Sequence, residues 1–154
     1  MITILHNIRS LHNVGSIFRT ADAFGVKKIY LSGITPSPVD SLGKPRQQFI
    51  KVSLGAEKSV LWEKVKTPNV IIDKLKKEGY KIFAVEQNKK SIPYYKAKLK
   101  KNSKVALIMG NEVRGISKSI LDKSDKILEI PMMGKKESLN VAIAFGIVAS
   151  RMVY

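Results

Sequence analysis

The sequence predicts an α/β fold, a mostly parallel sheet with helices on both faces, and three features carry that expectation. Short apolar runs at 2–5, 26–31, 80–85, 105–109 and 127–130 alternate with stretches of helical periodicity. The run Val-Ala-Leu-Ile-Met at 105–109 is apolar at every position, the pattern of a central strand covered on both sides. Helix start and stop signals separate the runs, so strands and helices alternate as crossover connections require.

Residues 2–5 form the first strand, followed by a polar loop from His6 to Asn13. From 13 to 24, Val14, Ile17, Phe18 and Ala21 recur at helical spacing, with Asn13 where an N-cap belongs and Gly25 as the stop. Residues 26–31 are the second strand. The stretch 32–48 reads as a long basic loop with Pro36, Pro38, Gly43 and Pro45, a length usually either functional or mobile. Residues 51–66, with the single tryptophan Trp62, fit neither period cleanly. Thr67-Pro68 is a helix start, Ile71, Ile72 and Leu75 its buried stripe, and Gly79 its end. Residues 80–85 are the third strand, 86–101 a polar lysine-rich segment broken by Pro93, and 105–109 the fourth strand. Ser117 or Ser119 caps a short helix through Leu121, 127–130 is the fifth strand, and an apolar helix follows Ser138 and Asn140 to Val153. That last helix start offers unpaired backbone N–H groups to a ligand, an anion in the first instance.

With 44% hydrophobic residues, the 154-residue chain is expected to form one domain, 1–154. The absence of cysteine rules out disulfides, thiolate chemistry and sulfur-ligated zinc, and two histidines are too few for a His-rich metal site. His6 and His12 are assigned to loop or surface roles, and Trp62 and the tyrosines to core or interface. No signal-peptide pattern and no membrane-spanning run is present, so a cytoplasmic protein is expected. The formal charge is +16, and between Lys74 and Lys104 eleven lysines face only Glu78 and Glu86. Such a field draws phosphate backbones, which makes nucleic acid the leading partner, although solvated helix faces account for some of the lysines.

Two nucleotide-binding patterns fail. Gly110 to Ser117 has the phosphate-loop spacing, but Ile116 occupies the place of its lysine, and no G-x-G-x-x-G follows a strand. Three clusters remain: Asn13-Val14-Gly15-Ser16-Ile17-Phe18-Arg19-Thr20-Ala21, Met109-Gly110-Asn111-Glu112-Val113-Arg114-Gly115, and Ile130-Pro131-Met132 through Ser138-Leu139-Asn140-Val141. In that order, across essentially the whole chain, they resemble the signature motifs of the SpoU (TrmH-type) RNA 2′-O-ribose methyltransferases of the SPOUT superfamily.

The resemblance implies a C-terminal deep trefoil knot, a homodimer, and S-adenosylmethionine bound in the knot. By position, Asn13 and Arg19 match the first-motif pair of the active site, Glu112 the second-motif acid, and Ser138 and Asn140 the polar pair of the third. Val85, Gly110, Ile130, Leu139 and Ser138 are implied as cofactor contacts, with glycine letting a loop come close to a ligand. Arg19 is expected to orient ribose and phosphate, because a guanidinium is a poor base and a good bidentate clamp. The absence of an added N-terminal domain resembles the minimal forms that methylate the tRNA wobble position, which favours tRNA over rRNA. A non-catalytic basic RNA-binding or assembly protein, and a base methyltransferase, stay open as alternatives. Taken singly, Asn13, Ser138 and Asn140 also read as helix caps, and Glu112 as a loop buttress.

Overall fold

The computed structural model describes residues 1–99 and 103–153. Seven strands form one sheet in the order β3-β2-β1-β6-β4-β7-β5, and every pairing is parallel. The chain runs β1 (Ile2–His6), α1 (Leu11–Ala23), β2 (Lys28–Ser32), α2 (Gln47–Ser53), α3 (Ala56–Ser59), β3 (Leu61–Val65) and α4 (Pro68–Lys77). It continues through β4 (Lys81–Val85), β5 (Ile92–Pro93), a 3-10 turn (Tyr94–Lys96), β6 (Val105–Met109), α5 (Lys118–Lys123), β7 (Lys126–Glu129) and α6 (Val141–Val153).

Alternation along the central strands sorts the core into two layers, since successive side chains point to opposite faces. Leu5, Leu31, Phe83, Leu107 and Leu128 face α1, α2 and α6, where Phe18, Phe49 and Phe145 fill the layer. Phe18 and Phe49 meet edge to face at 5.2 Å between ring centres. Ile4, Ile82 and Ile108 face the other way, against Ile71, Ile72 and Leu75 of α4 and Ile120 of α5. Every residue of β6 is buried because both faces are covered, as its unbroken apolar run predicts.

This layering positions the site. Strands β1 and β6 are neighbours, with Leu5 paired to Met109, yet β1 leads into α1 on one face and β6 into α5 on the other. The chain therefore leaves the sheet toward opposite faces at the carboxyl ends of these central strands, the side on which open parallel sheets bind ligands. The late strands also insert between earlier ones: β6 lies between β1 and β4, and β7 between β4 and β5.

The boundaries differ from the sequence expectation in identifiable ways. Residues 51–66 resolve into the end of α2, α3 and the edge strand β3, whose outer face is open and whose Leu61 is exposed. The two-residue β5 adds a seventh strand at the opposite edge. Ile130 lies just past β7, and α5 runs to Lys123 with Ser117 at its N-cap position. In α1 the N-cap is Ser10 rather than Asn13: the Ser10 hydroxyl accepts from the Asn13 amide at 3.2 Å. Ser10→Ala is accordingly expected to lower unfolding free energy by about 1 kcal/mol, read from the midpoint of urea denaturation. Lys100 and Lys101 of the lysine-rich segment lie outside the described residues. No helix among the described residues is long and apolar enough to cross a membrane.

Candidate functional site

At the carboxyl ends of β4, β6 and β7 a cavity of about 580 Å³ opens between three chain segments, 85–87, 109–115 and 129–141. That volume suits a small-molecule ligand. Val85, Met109, Ile130 and Leu139 supply apolar wall, and Gly110 and Ser138 also line it. All five residues expected from the resemblance to contact a cofactor thus meet at one place: Val85, Gly110, Ile130, Ser138 and Leu139.

The charge of this cavity runs against that of the molecule. Glu86, Glu112, Glu129 and Glu137 line it, and no lysine or arginine does among the described residues, in a chain with 28 basic and 12 acidic side chains. Four glutamates and no basic side chain thus border the N-terminus of α6, a surrounding that disfavours the anion expected from the helix start alone and favours a ligand bearing positive charge.

Three elements converge on a directional chain of hydrogen bonds. Glu112, in the loop after β6, accepts from the backbone amides of Arg9 at 3.1 Å and Ser10 at 3.5 Å, at the entrance of α1. It also accepts from the Asn13 carboxamide at 3.2 Å, within the first turn of α1. The Asn13 oxygen in turn accepts from the Asn140 Nδ2 at 3.0 Å. Asn140 completes the line as the N-cap of α6, its Oδ1 accepting from the Ala142 amide at 2.8 Å. Each carboxamide has its nitrogen and oxygen fixed by a partner that can only donate or only accept. Partial burial raises the Glu112 carboxyl pKa, but the amides and the Asn13 side chain that donate to it outweigh burial and leave it below the usual carboxylate value. The stability this gives is present above the ordinary glutamate pKa and is lost as pH falls through the lower folded-state value.

The loop from Asn111 to Gly115 is closed on itself and tied to its neighbours. Asn111 accepts on Oδ1 from the amides of Val113 at 3.0 Å and Arg114 at 2.7 Å, and its carbonyl accepts from the Gly115 amide at 2.9 Å. Glu86, at the end of β4, accepts from the Ile116 amide at 2.8 Å. Gly115 has φ +65, and a Cβ there would lie 2.3 Å from Glu86 Oε2. At Gly110 a Cβ would lie 2.3 Å from Ile116 Cγ1. Close approach at Gly110 thus serves the chain's own return, a reason for glycine that the ligand-based expectation did not contain.

Of the residues assigned to chemistry from sequence, Asn13, Glu112 and Asn140 are hydrogen-bonded in series, and Ser138 lies on the cavity wall two positions before Asn140. Arg19 is apart from them. It lies six residues beyond Asn13, about 9 Å along α1, is exposed, and does not line the cavity. Glu86, Glu129 and Asn111 were not singled out from sequence. Asn111 lay inside a quoted motif, and Glu86 directly follows an apolar strand, which is the signal that could have found it. His6 is half-buried and hydrogen-bonded to Ser32 and Asn7, so the loop-or-surface role expected for it is corrected; His12 is exposed.

Comparison with known proteins follows the same lines. A family model described as the SpoU rRNA Methylase family matches residues 1–150. A tRNA (guanosine(18)-2'-O)-methyltransferase of Aquifex aeolicus is 32% identical over 148 residues, 96% of this chain and 66% of its own length. Relatives in Staphylococcus aureus are 33% identical over 153 residues, which are 56% of their length. The chain therefore spans less than two thirds of these relatives. The crystal structure of an AdoMet-bound rRNA methyltransferase from Sinorhizobium meliloti superposes with a TM-score of 0.86 at 28% identity, covering 97% of this chain and 54% of that one. A structure described as giving insights into the 2-OH methylation of C/U34 on tRNA shares the fold, with a TM-score of 0.79 at 24% identity, and here the match covers 91% of the other chain.

Proposed function

Because this chain belongs to the SpoU rRNA Methylase family, we propose that it is an S-adenosylmethionine-dependent methyltransferase acting on a ribose 2′-hydroxyl of RNA. The observation that carries this reading is the cavity: four glutamates and apolar walls, without a basic residue, in a protein of charge +16. S-adenosylmethionine is a nucleoside whose sulfonium and ammonium outnumber its one carboxylate. It fits that wall, whereas a phosphate-bearing cofactor is repelled. The RNA meets the opposite sign outside, where the surface lysines lie.

When bound, the cofactor supplies a methyl carbon activated by positive sulfur. Transfer to a 2′ oxygen would leave S-adenosylhomocysteine and release the hydroxyl proton to solvent, and it would need that hydroxyl held in line with the methyl. Val85, Gly110, Ile130, Leu139 and Ser138 hold the cofactor in the cavity. Glu112, Asn13 and Asn140 hold the loop and both helix starts in one geometry, which lets the hydroxyl be presented in line. Ser138 and Asn140 border the reacting side. Arg19 clamps the phosphate beside the target ribose from the outer face of α1, and orients the hydroxyl once RNA is bound. Arg19→Lys is therefore expected to lower the rate at saturating RNA about tenfold or more, since the ammonium is a point charge without the fork. A near-wild-type rate would rule out the bidentate role.

Residues 1–154 make one catalytic domain in this reading, working in the cytoplasm as a homodimer. The support for dimerisation is α6, apolar almost throughout, whose Ile143 and Val153 stay exposed beside α1. The support for a deep trefoil knot in the C-terminal segment is the insertion of β6 and β7 between earlier strands, together with family membership. The preferred substrate is tRNA, supported by the tRNA methyltransferase among the relatives, and the wobble position is the site put to the test. Mass spectrometry of tRNA and rRNA from a strain lacking the gene tests this: one 2′-O-methyl should vanish from the anticodon position of a tRNA. Loss from an rRNA, or from the position named for the Aquifex relative, would reassign the substrate, and no loss at all would contradict the enzyme.

A further inference from the structure

We propose that His6 is a positioning residue: held with its ring proton on Nδ1, it fixes the Asn7 peptide and, through it, the Asn111 to Gly115 loop that carries Glu112. The direction of every hydrogen bond around it is determined. The Ile34 amide can only donate, and it meets Asn7 Oδ1 at 3.1 Å, so the Asn7 nitrogen must face His6 Nε2, which it reaches at 3.0 Å. Nε2 is then an acceptor and bears no proton. The proton is on Nδ1, which donates to Ser32 Oγ at 2.9 Å, and Ser32 passes the line on to the Leu5 carbonyl at 3.3 Å. This tautomer is assigned from the network.

The Asn7 peptide has unusual geometry. Its φ is +57, a left-handed conformation that asparagine tolerates at some cost. Its side chain lies against Gly33, where a Cβ would fall 1.9 Å from Asn7 Oδ1. In this position the Asn7 carbonyl accepts from Asn111 Nδ2 at 2.7 Å. Asn111 also holds the Val113 and Arg114 amides, so it sets the height of the loop between them, and Glu112 with it. A proton added to Nε2 would face the Asn7 NH₂ donor to donor. Turning the carboxamide over would only move that conflict to the Ile34 amide, so Asn7 has to shift and take its carbonyl from Asn111.

Charged groups near this corner are already occupied. Lys64 of β3 donates to the carbonyls of Gly33 and Thr35, and Glu112 accepts from the Arg9 amide, with the Arg9 side chain exposed to solvent. Burial alone lowers the His6 pKa. The folded state therefore favours neutral His6, and its contribution is present above the ordinary histidine pKa and is lost as pH falls through the lower folded value.

The inference rests on the methyltransferase reading only for its kinetic arm. Three proteins are compared between about pH 8 and about pH 5: wild type, His6→Gln, whose amide oxygen can accept from Asn7 without titrating, and His6→Leu, which cannot accept. In wild-type NMR spectra the Val113 and Arg114 amides and the Asn13 carboxamide should move together with the His6 ring as it titrates, and in His6→Gln that movement should disappear. In the kinetic arm, His6→Gln should keep kcat within a few-fold at the alkaline end and lose the acid limb, while His6→Leu should lose about tenfold or more in kcat with less change in KM for RNA. If the loop signals do not follow the His6 ring in wild type, or follow the same titration in His6→Gln, the coupling is wrong whatever the enzyme does. If the signals follow but no methyl transfer occurs with any of the three, the coupling stands and the methyltransferase reading fails.

Discussion

Glu112→Gln is expected to lower methyl transfer about 100-fold, a loss typical when reacting groups are slightly misplaced, while the protein stays folded. The reason is directional. The carboxylate accepts on both oxygens, from Arg9 N at 3.1 Å on one and from Ser10 N and Asn13 Nδ2 on the other. A carboxamide has one oxygen, so its NH₂ must oppose a donor. Asn13 cannot turn to relieve the conflict, because its own oxygen already accepts from Asn140 at 3.0 Å. One charge-assisted bond is lost, worth roughly 1.5–3 kcal/mol, and the strain passes along the line to the start of α6. Steady-state kinetics with RNA, alongside thermal melts, check this result. A variant with the wild-type rate would show that the line from Glu112 to Asn140 has no part in the reaction.

The second large effect is expected at Gly110. An alanine there puts a methyl 2.3 Å from Ile116 Cγ1 and about 3 Å from the Gly115 backbone, with atoms at 3.0 and 3.1 Å. Ile116 is buried in the layer beneath α5 and has little room to yield. Overpacking of this kind costs about 1–3 kcal/mol, and because the displaced turn is a wall of the cavity, cofactor affinity should fall about tenfold or more with it. Gly134→Ala is the control: a Cβ there meets nothing within 4 Å and the backbone is not left-handed, so stability should change by no more than about 0.5 kcal/mol. Equal effects at the two glycines would mean that the loop after β7, and not the turn after β6, limits the cavity.

How much could be read from the chain depended on where each residue's partners lie. The central strands were legible because burial on both faces writes an unbroken apolar run, as in 105–109, and α1 and α4 because one face is buried at helical spacing. Edge strands carry a weaker signal. β3 has only one neighbouring strand and an open outer face, so Leu61 is exposed and its pattern follows neither period; β5 pairs through only two residues, one of them a proline. The α1 start was misplaced because Ser10 and Asn13 are both good caps, and only geometry shows the Ser10 hydroxyl on the Asn13 amide.

The site divides in the same way. Asn13, Glu112 and Asn140 could be named from motif order, but the role of Asn13 as a relay between the other two depends on contacts 99 and 127 residues apart, which no local pattern records. Arg19 shared a motif with Asn13, yet six residues along a helix place it outside the cavity, and its proposed function passes to the RNA. Nothing in the sequence marks His6 beyond a loop or surface role, because its partners, Ser32 and the conformation of Asn7, come from the fold. The acidity of the cavity was hidden by the net charge: a total of +16 says nothing about four glutamates gathered from three segments.

That gathering makes ligand binding the most direct test. Isothermal titration of the wild-type protein with S-adenosylmethionine should show one site per chain, weakened about tenfold or more by Leu139→Arg, which adds a positive charge to the cavity, and unaffected by inorganic phosphate. Absence of binding at high ligand concentration, with RNA binding intact and steeply salt-dependent, would contradict the methyltransferase and leave a basic RNA-binding protein.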